Sequence, residues 1–242
     1  MKDIKELLEG LNRPPLLIGK GPSFSLIEEI SLEHWTTIAL NHAIRETKAD
    51  LCSIIDIDVV EDLGEVLYEK AEKVCLPFFP HVNFNATGEP LHDFVEKHSA
   101  LKKMEEEGRL YTYHLDYSKP VSWKGIKVLQ DFGKGFPLGY PTPLTTGAYR
   151  VRLNNGDTFF GILAANGFKV VHSVGVDGGQ SYNKSFSDLT PLTNGRASFD
   201  DQDPSFEEIK NATGCKLVRI SEWEKPYIDQ IPKNKLTWYK DI

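Results

Sequence analysis

The 242-residue chain has little of what marks stapled, metallated or strongly basic proteins. Its three cysteines, Cys52, Cys75 and Cys215, are far apart with no C-x-x-C pair, which argues against a zinc knuckle or a disulfide framework and fits a reducing cytoplasm. Its 28 basic residues are outnumbered by 35 acidic ones, for a net charge of −7. No Lys/Arg block could track a phosphate backbone, so nucleic acid is not an expected partner. No apolar run approaches the roughly 20 residues needed to span a bilayer. The opening stretch "MKDIKELLEGLNRPP" is charged and amphipathic, without the apolar core of a signal peptide. A soluble, cytoplasmic protein is expected, compatible with peripheral contact at a membrane surface. Hydrolase signatures are missing too: there is no G-x-S-x-G elbow, no H-E-x-x-H helix and no cysteine nucleophile context.

What is present is an alternation of apolar runs and amphipathic stretches over a length that one α/β domain commonly occupies. Residues 3–11 read as a short helix, ended by Gly10 and closed off by Pro14 and Pro15. "PLLIG" is a continuous apolar run, as expected of a strand covered on both faces, and "SFSLIEEI" after it has helical spacing. "WTTIALN" and "ADLCSIIDID" read as two more strands, separated by the helix-compatible "HAIRETK". "VVEDLGEVLYEKAEK" then reads as one helix, "VCLPFF" as a fourth strand, and "PLHDFVEKHSALKKMEEEG" as a charged helix stopped at Gly108. Residues 116–145 are rich in Gly, Pro and aromatics and lose periodicity, which reads as an irregular segment.

Order returns in "NNGDTFFGILAANGFKVVHSVGVDGG", a helix capped by Asn155 or Asp157 and stopped at Gly167, followed by a buried strand. Residues 178–202 are polar and rich in Gly, Ser and Asn, and read as a flexible lid or a disordered loop. A last α-β unit, "DPSFEEIKNATGCKLVRIS", has Asp203 as N-cap, Pro204 at the first helical position and Gly214 at the C-terminal cap. The alternation predicts an α/β fold with a mostly parallel sheet.

In such a sheet ligands bind beyond the C-terminal strand ends. Four polar clusters fall there: Gly19 to Ser23, Asn41 with His42, Asp56 with Asp58, and Gly175 to Gly178. Gly19 and Gly21 would let the backbone turn sharply and bring amides to a phosphate, with Ser23 as helix cap or donor. The turn is not a P-loop, and it lacks the third glycine of the dinucleotide fingerprint. An ordinary strand-to-helix turn explains the same residues. Asp56 and Asp58 at i and i+2 would point the same way on a continuing strand and could hold Mg²⁺ or Mn²⁺ against a diphosphate. Alternatively one of them caps the next helix. Asp177 ends an apolar strand before two glycines, which aims it at a ligand or makes it a loop brace. His42, beside Asn41, is a better placed imidazole than His172, which lies inside a strand and reads as a core histidine. Tyr182 could donate its hydroxyl to a phosphate or pack a loop.

Together "LLIGKGPSF", "IALNHAI", "SIIDID" and "NNGDTFFGILAANGFKVVHSVGVD" resemble the bacterial sialyltransferases and the related superfamily that includes 6-hydroxymethylpterin diphosphokinase-like proteins. The resemblance covers the first 60 residues and about 154–220. It implies a Rossmann-like, mostly parallel sheet with helices on both faces, in a single domain with a flexible lid. On that pattern Gly19, Lys20, Gly21, Pro22 and Ser23 form the nucleotide turn and Asn41 contacts the base or ribose. Asn154, Asn155 and Gly156 open the ligand-facing helix, with Thr145 to Gly147 as a competing register. Asp177 matches the aspartate closing the following strand, and Tyr182 lies near tyrosines that hold the departing phosphate. Two departures stand out: Lys20 replaces a residue that is usually Asn, and no histidine follows His172, where those enzymes place their base. Asp200, Asp201 or Asp203 could stand in for it.

The resemblance implies a nucleotide-sugar-dependent glycosyltransferase acting on a surface-glycan precursor, with Asp177, His42 and Tyr182 as catalytic candidates. A CMP-linked donor is one form of its substrate, and Mg²⁺ or Mn²⁺ at Asp56 and Asp58 is one form of assistance. The alternatives are a pterin diphosphokinase-like enzyme using ATP and Mg²⁺, and a non-catalytic nucleotide-binding module.

Overall fold

A computed structural model of the chain describes residues 1–82, 85–86, 89–113, 122–123, 126–127, 155–177, 181–189 and 202–220. Eight strands form one sheet: β1 (Lys2–Asp3), β2 (Pro15–Ile18), β3 (Thr36–Leu40), β4 (Leu51–Ser53), β5 (Val74–Pro77), β6 (Leu110–Tyr113), β7 (Val170–Val174) and β8 (Lys216–Arg219). Their order is β1-β6-β5-β4-β3-β2-β7-β8, and every neighbouring pair is parallel. The fold is α/β, as the apolar runs imply. Two short antiparallel pairs, His81–Val82 with Asn85–Ala86 and Ser122–Trp123 with Ile126–Lys127, lie outside this sheet.

The central strands are buried along their whole length because both faces are covered, unlike the edge strands β1 and β8. In β2, Leu16 and Ile18 enter one core and Leu17 the other, and all three are fully buried. The first core is covered by a 3₁₀ segment, Pro22–Glu29, and by α2 (Ile57–Leu63), α3 (Glu65–Lys70), α4 (Leu91–Val95) and α5 (Ser99–Glu106). The second is covered by α1 (Ile4–Glu9), α6 (Asn155–Ala165) and α7 (Gln202–Thr213). Asn155 through Ala164 are all buried in α6. A helix apolar almost all round is what a site between sheet and outer helix requires. Phe159 and Phe160 each contribute roughly 1.5–3 kcal/mol by leaving water.

Several elements differ from expectation. "SFSLIEEI" is 3₁₀, with Phe24 and Ile27 buried at the three-residue spacing of that helix and the Phe24 amide on the Gly21 carbonyl at 3.0 Å. The helix expected over 59–73 starts earlier and breaks at Gly64, whose φ of +51 no ordinary helical residue adopts. The charged helix divides between Val95 and Ser99. The third strand ends at Ser53 rather than running through Asp58. The last helix opens at Gln202, ahead of Pro204, and Gly214 follows it at φ +73. The edge strand β1 and strand β6 were not foreseen.

Residues 181–189 of the expected lid are built into the fold. Phe186 is fully buried and meets Phe24 edge-on at 4.9 Å, and Leu189 joins the same core. The rest of 178–202, and the segment 116–145 apart from its short strand pair, lie outside the described residues.

Candidate functional site

Chain order fixes where a ligand can enter. From β2 the chain moves across the sheet through β3, β4, β5 and β6, whereas from β7 it moves the opposite way to β8. The C-terminal ends of β2 and β7 are therefore the switch point of the sheet, the place where open α/β sheets take ligands. Gly19 to Ser23 and Gly175 to Asp177 lie at this point.

The two loops are clasped together. Gly19 N–H donates to the Val174 carbonyl at 2.8 Å and Gly21 N–H to the Gly175 carbonyl at 2.7 Å. Ser23 donates its amide to Asp177 Oδ2 at 2.7 Å and its hydroxyl to Oδ1, while accepting from the Gly175 amide at 2.8 Å. A Cβ on Gly19 would stand 2.8 Å from the Gly175 carbonyl carbon and 2.9 Å from Val176 Cγ2, and one on Gly21 would run into the Asp177 carboxylate. These glycines allow two backbones to touch. Their amides are engaged by the end of β7 and its loop, so they allow close backbone approach and leave no free N–H of their own for a phosphate. Of the two roles open to Asp177, the geometry displays the brace.

Lys20, between the glycines, is half-buried, and its Nζ lies 4.6 Å from the centroid of the Tyr182 ring. Burial pushes its ammonium down to about 8, with Arg45 acting in the same direction and Asp56 and Asp188 opposing. The next segment holds the turn in place. Asn183 donates its amide to the Lys20 carbonyl at 2.8 Å and its Nδ2 to the Pro22 carbonyl at 3.1 Å, and Arg45 pairs with Asp188 at 2.8 Å.

Asn41 sits at the end of β3 with φ +52, the single non-glycine in the left-handed region among the described residues. Its Oδ1 accepts from Asn155 Nδ2 at 2.7 Å. Asn155 Nδ2 also donates to the Ser53 carbonyl, and its Oδ1 accepts from the Ser53 hydroxyl at 2.7 Å. This network ties the ends of β3 and β4 to the start of α6. Gly156 follows, within 3.8 Å of Val176, Leu40 and Phe206 if given a Cβ. Neither Asn155 nor Asp157 precedes the helix as a cap, because both lie within its first turn. Asn154 falls outside the described residues, as do Thr145 to Gly147, Asp200 and Asp201.

His42 is buried, and its Nε2 meets Asp62 Oδ2 at 2.8 Å. Burial, then the charge of Lys20, pushes its imidazole down to about 4, against the pull of Asp62. It is therefore neutral at pH 7. Asp56 is buried as the N-terminal flank of α2, 4.0 Å from His81 Nδ1, and Asp58 lies in the first helical turn. Because the strand ends before them, the two carboxylates do not share the strand face that would pair them on a divalent cation. Among the described residues no group of three or more His, Cys, Asp or Glu side chains could hold a metal.

The structure thus gathers Gly19 to Ser23, Gly175 to Asp177 and Tyr182 at the switch point and links Asn41 to Asn155. It adds Asn183, Ser53, Asp62 and the Arg45–Asp188 pair, which sequence reasoning missed. Only Ser53 carried a local signal, as a polar residue closing an apolar strand. The others act through contacts between segments distant in sequence.

No helix among the described residues is long and apolar enough to cross a membrane. No family model matches the chain, and no curated protein matches it by sequence. Among solved structures the chain is similar to the crystal structure of the sialyltransferase CST-II in complex with trisaccharide acceptor and CMP, at 15% identity, covering 88% of this chain and 84% of that one with a TM-score of 0.44.

Proposed function

We propose that this protein is a nucleotide-sugar-dependent glycosyltransferase of sialyltransferase-like type, which binds the donor phosphate at the switch point, beyond the C-terminal ends of β2 and β7, and passes the sugar to a glycan acceptor. One observation carries the reading: Lys20, half-buried, stands at the switch point with its Nζ 4.6 Å from the centroid of the Tyr182 ring, where burial also lowers its ammonium. An anion entering beside it restores the full charge and is itself neutralised. In the transfer an acceptor hydroxyl attacks the anomeric carbon and the bond from that carbon to the phosphate oxygen breaks. The nucleotide leaves with the bonding pair. Lys20 and the Tyr182 hydroxyl offset the charge that builds on it. Asn41 contacts the nucleoside, and because His42 has its Nε2 on Asp62 and its Nδ1 buried, the acceptor proton passes to a carboxylate of Asp200, Asp201 or Asp203, the stand-ins for the missing base. Asp177 holds the β2 and β7 loops in register around the reacting groups.

The test is calorimetry with CMP, UDP, GDP and ATP, with and without Mg²⁺, on the wild type and on Lys20→Met. Metal-independent binding of a nucleotide, weakened at least tenfold in Lys20→Met, supports the reading. An ATP response that requires Mg²⁺ turns it toward diphosphokinase chemistry. Absence of binding by all four nucleotides overturns it.

A further inference from the structure

Which way a carboxamide faces is decided by its partners, since its oxygen and nitrogen differ only in what they can bond. At the end of β3 the decision is forced by one atom. The Ser53 backbone carbonyl can only accept, so the group on Asn155 that meets it must be Nδ2. The same nitrogen lies 2.7 Å from the Asn41 carboxamide, which must therefore turn its oxygen inward. The Asn155 oxygen is taken by the Ser53 hydroxyl at 2.7 Å. Every polar group of the Asn155 side chain is thus used inside the protein. The Asn41 Nδ2 has no partner among the described residues, and Asn41 is half-buried at the sheet's C-terminal rim.

We infer that Asn155 is a positioning residue, which, anchored on the Ser53 carbonyl, fixes the Asn41 carboxamide with its two N–H donors turned away from Asn155 and left for a ligand at the C-terminal rim of the sheet, so that the site selects a ligand offering a hydrogen-bond acceptor beside its anionic group. This rests on the proposed function for the identity of the ligand, but the orientation does not. The positive φ of Asn41 holds its backbone on a turn that Asn tolerates better than most residues. The relay gives Asn155 an effect on binding without contact to the ligand, and it separates the two asparagines: one is consumed, the other is presented.

The experiment is side-chain amide exchange by NMR on ¹⁵N-labelled full-length protein, with the Asn41 and Asn155 carboxamides assigned from single variants and CMP as the probe. In the free protein the Asn155 carboxamide protons should exchange at least a hundredfold more slowly than those of Asn41. Equal rates, or a slower pair on Asn41, overturn the orientation. On titration, a shift and slowing of the Asn41 pair with the Asn155 pair unmoved supports presentation to the ligand. Binding seen by calorimetry with both pairs unmoved overturns it. If CMP and the other nucleotides fail to bind, the proposed function falls, and the free-protein rates still decide the relay. In Asn155→Asp, which can only accept, Asn41 should reverse, so its protons become slow and nucleotide affinity drops at least tenfold. Should that variant not fold, the wild-type rates carry the test.

Discussion

Ser23 gives both its amide and its hydroxyl to the carboxylate of Asp177, the amide at 2.7 Å, across 154 positions of sequence. This contact bridges the loops that follow two neighbouring strands, β2 and β7, so it acts on stability before it acts on any ligand. Hydrogen bonds to a charged group contribute roughly 1.5–3 kcal/mol each. Asp177→Ala should therefore lower unfolding free energy by about 3 kcal/mol in urea titrations, and Ser23→Ala by somewhat less. The two losses should not add, because either change removes the same contact. Full additivity in the double variant would show that the clasp is not shared.

Lys20→Met should raise stability and weaken binding together. The lysine's folded-state value is about 8 against 10.5 for the free side chain. Between these values the unfolded chain binds more protons, so wild-type stability rises with pH across that window, and below pH 8 the penalty of the buried charge is fully present. The variant lacks the penalty. Its melting temperature should exceed the wild type's at pH 7, with the gap closing as pH rises through 8 toward 10.5. Nucleotide binding in the wild type at pH 8.5 should draw in a proton, measured as a dependence of binding heat on the buffer's ionisation enthalpy. A variant less stable than wild type at pH 7 would contradict this account.

Acid should unfold the protein through three histidines. Burial is the leading cause that holds each of His42, His81 and His172 near 4, below the ordinary 6.5. Unfolding frees all three to take up protons between pH 6.5 and 4, so their stability contribution is complete above pH 6.5 and is lost as pH falls through the window. Three protons correspond to a slope of up to about 4 kcal/mol per pH unit at mid-window. Urea unfolding at half-unit pH steps measures it. Replacing His172, which meets the Trp35 ring edge-on at 4.8 Å, with Phe should reduce the slope by about a third.

The sheet was legible because parallel strands buried on both faces cannot hide their composition. "PLLI" and "TTIAL" have no polar face to interrupt them. The edge strand β1 was not legible, since a two-residue pairing leaves no periodicity. Helix continuity failed at Gly64 because a charged amphipathic pattern persists across a break that one backbone angle creates. The site was legible as positions and not as roles. Glycines after a strand announce close approach, but whether a phosphate or another backbone approaches depends on the partner strand, here β7, more than 150 residues away. The inward turn of the Asn41 oxygen likewise depends on a carbonyl in β4 and a side chain in α6, which no local pattern encodes.

Phe186 is where the sequence and the structure disagree most. Its segment is polar and rich in Ser and Asn, the composition of a mobile loop, yet its ring is fully buried against Phe24 and its neighbour Asn183 carries two hydrogen bonds to the glycine turn. A large ring removed from such a site leaves a cavity and loses its transfer energy, typically 3–5 kcal/mol. If 181–189 were a lid that opens without disturbing the core, Phe186→Ala would change unfolding free energy by well under 1 kcal/mol and alter only ligand kinetics. The packing requires the larger loss, together with weaker nucleotide binding, because Asn183 can no longer hold the Lys20 carbonyl in place. Urea unfolding and calorimetry on the same preparation separate the two cases.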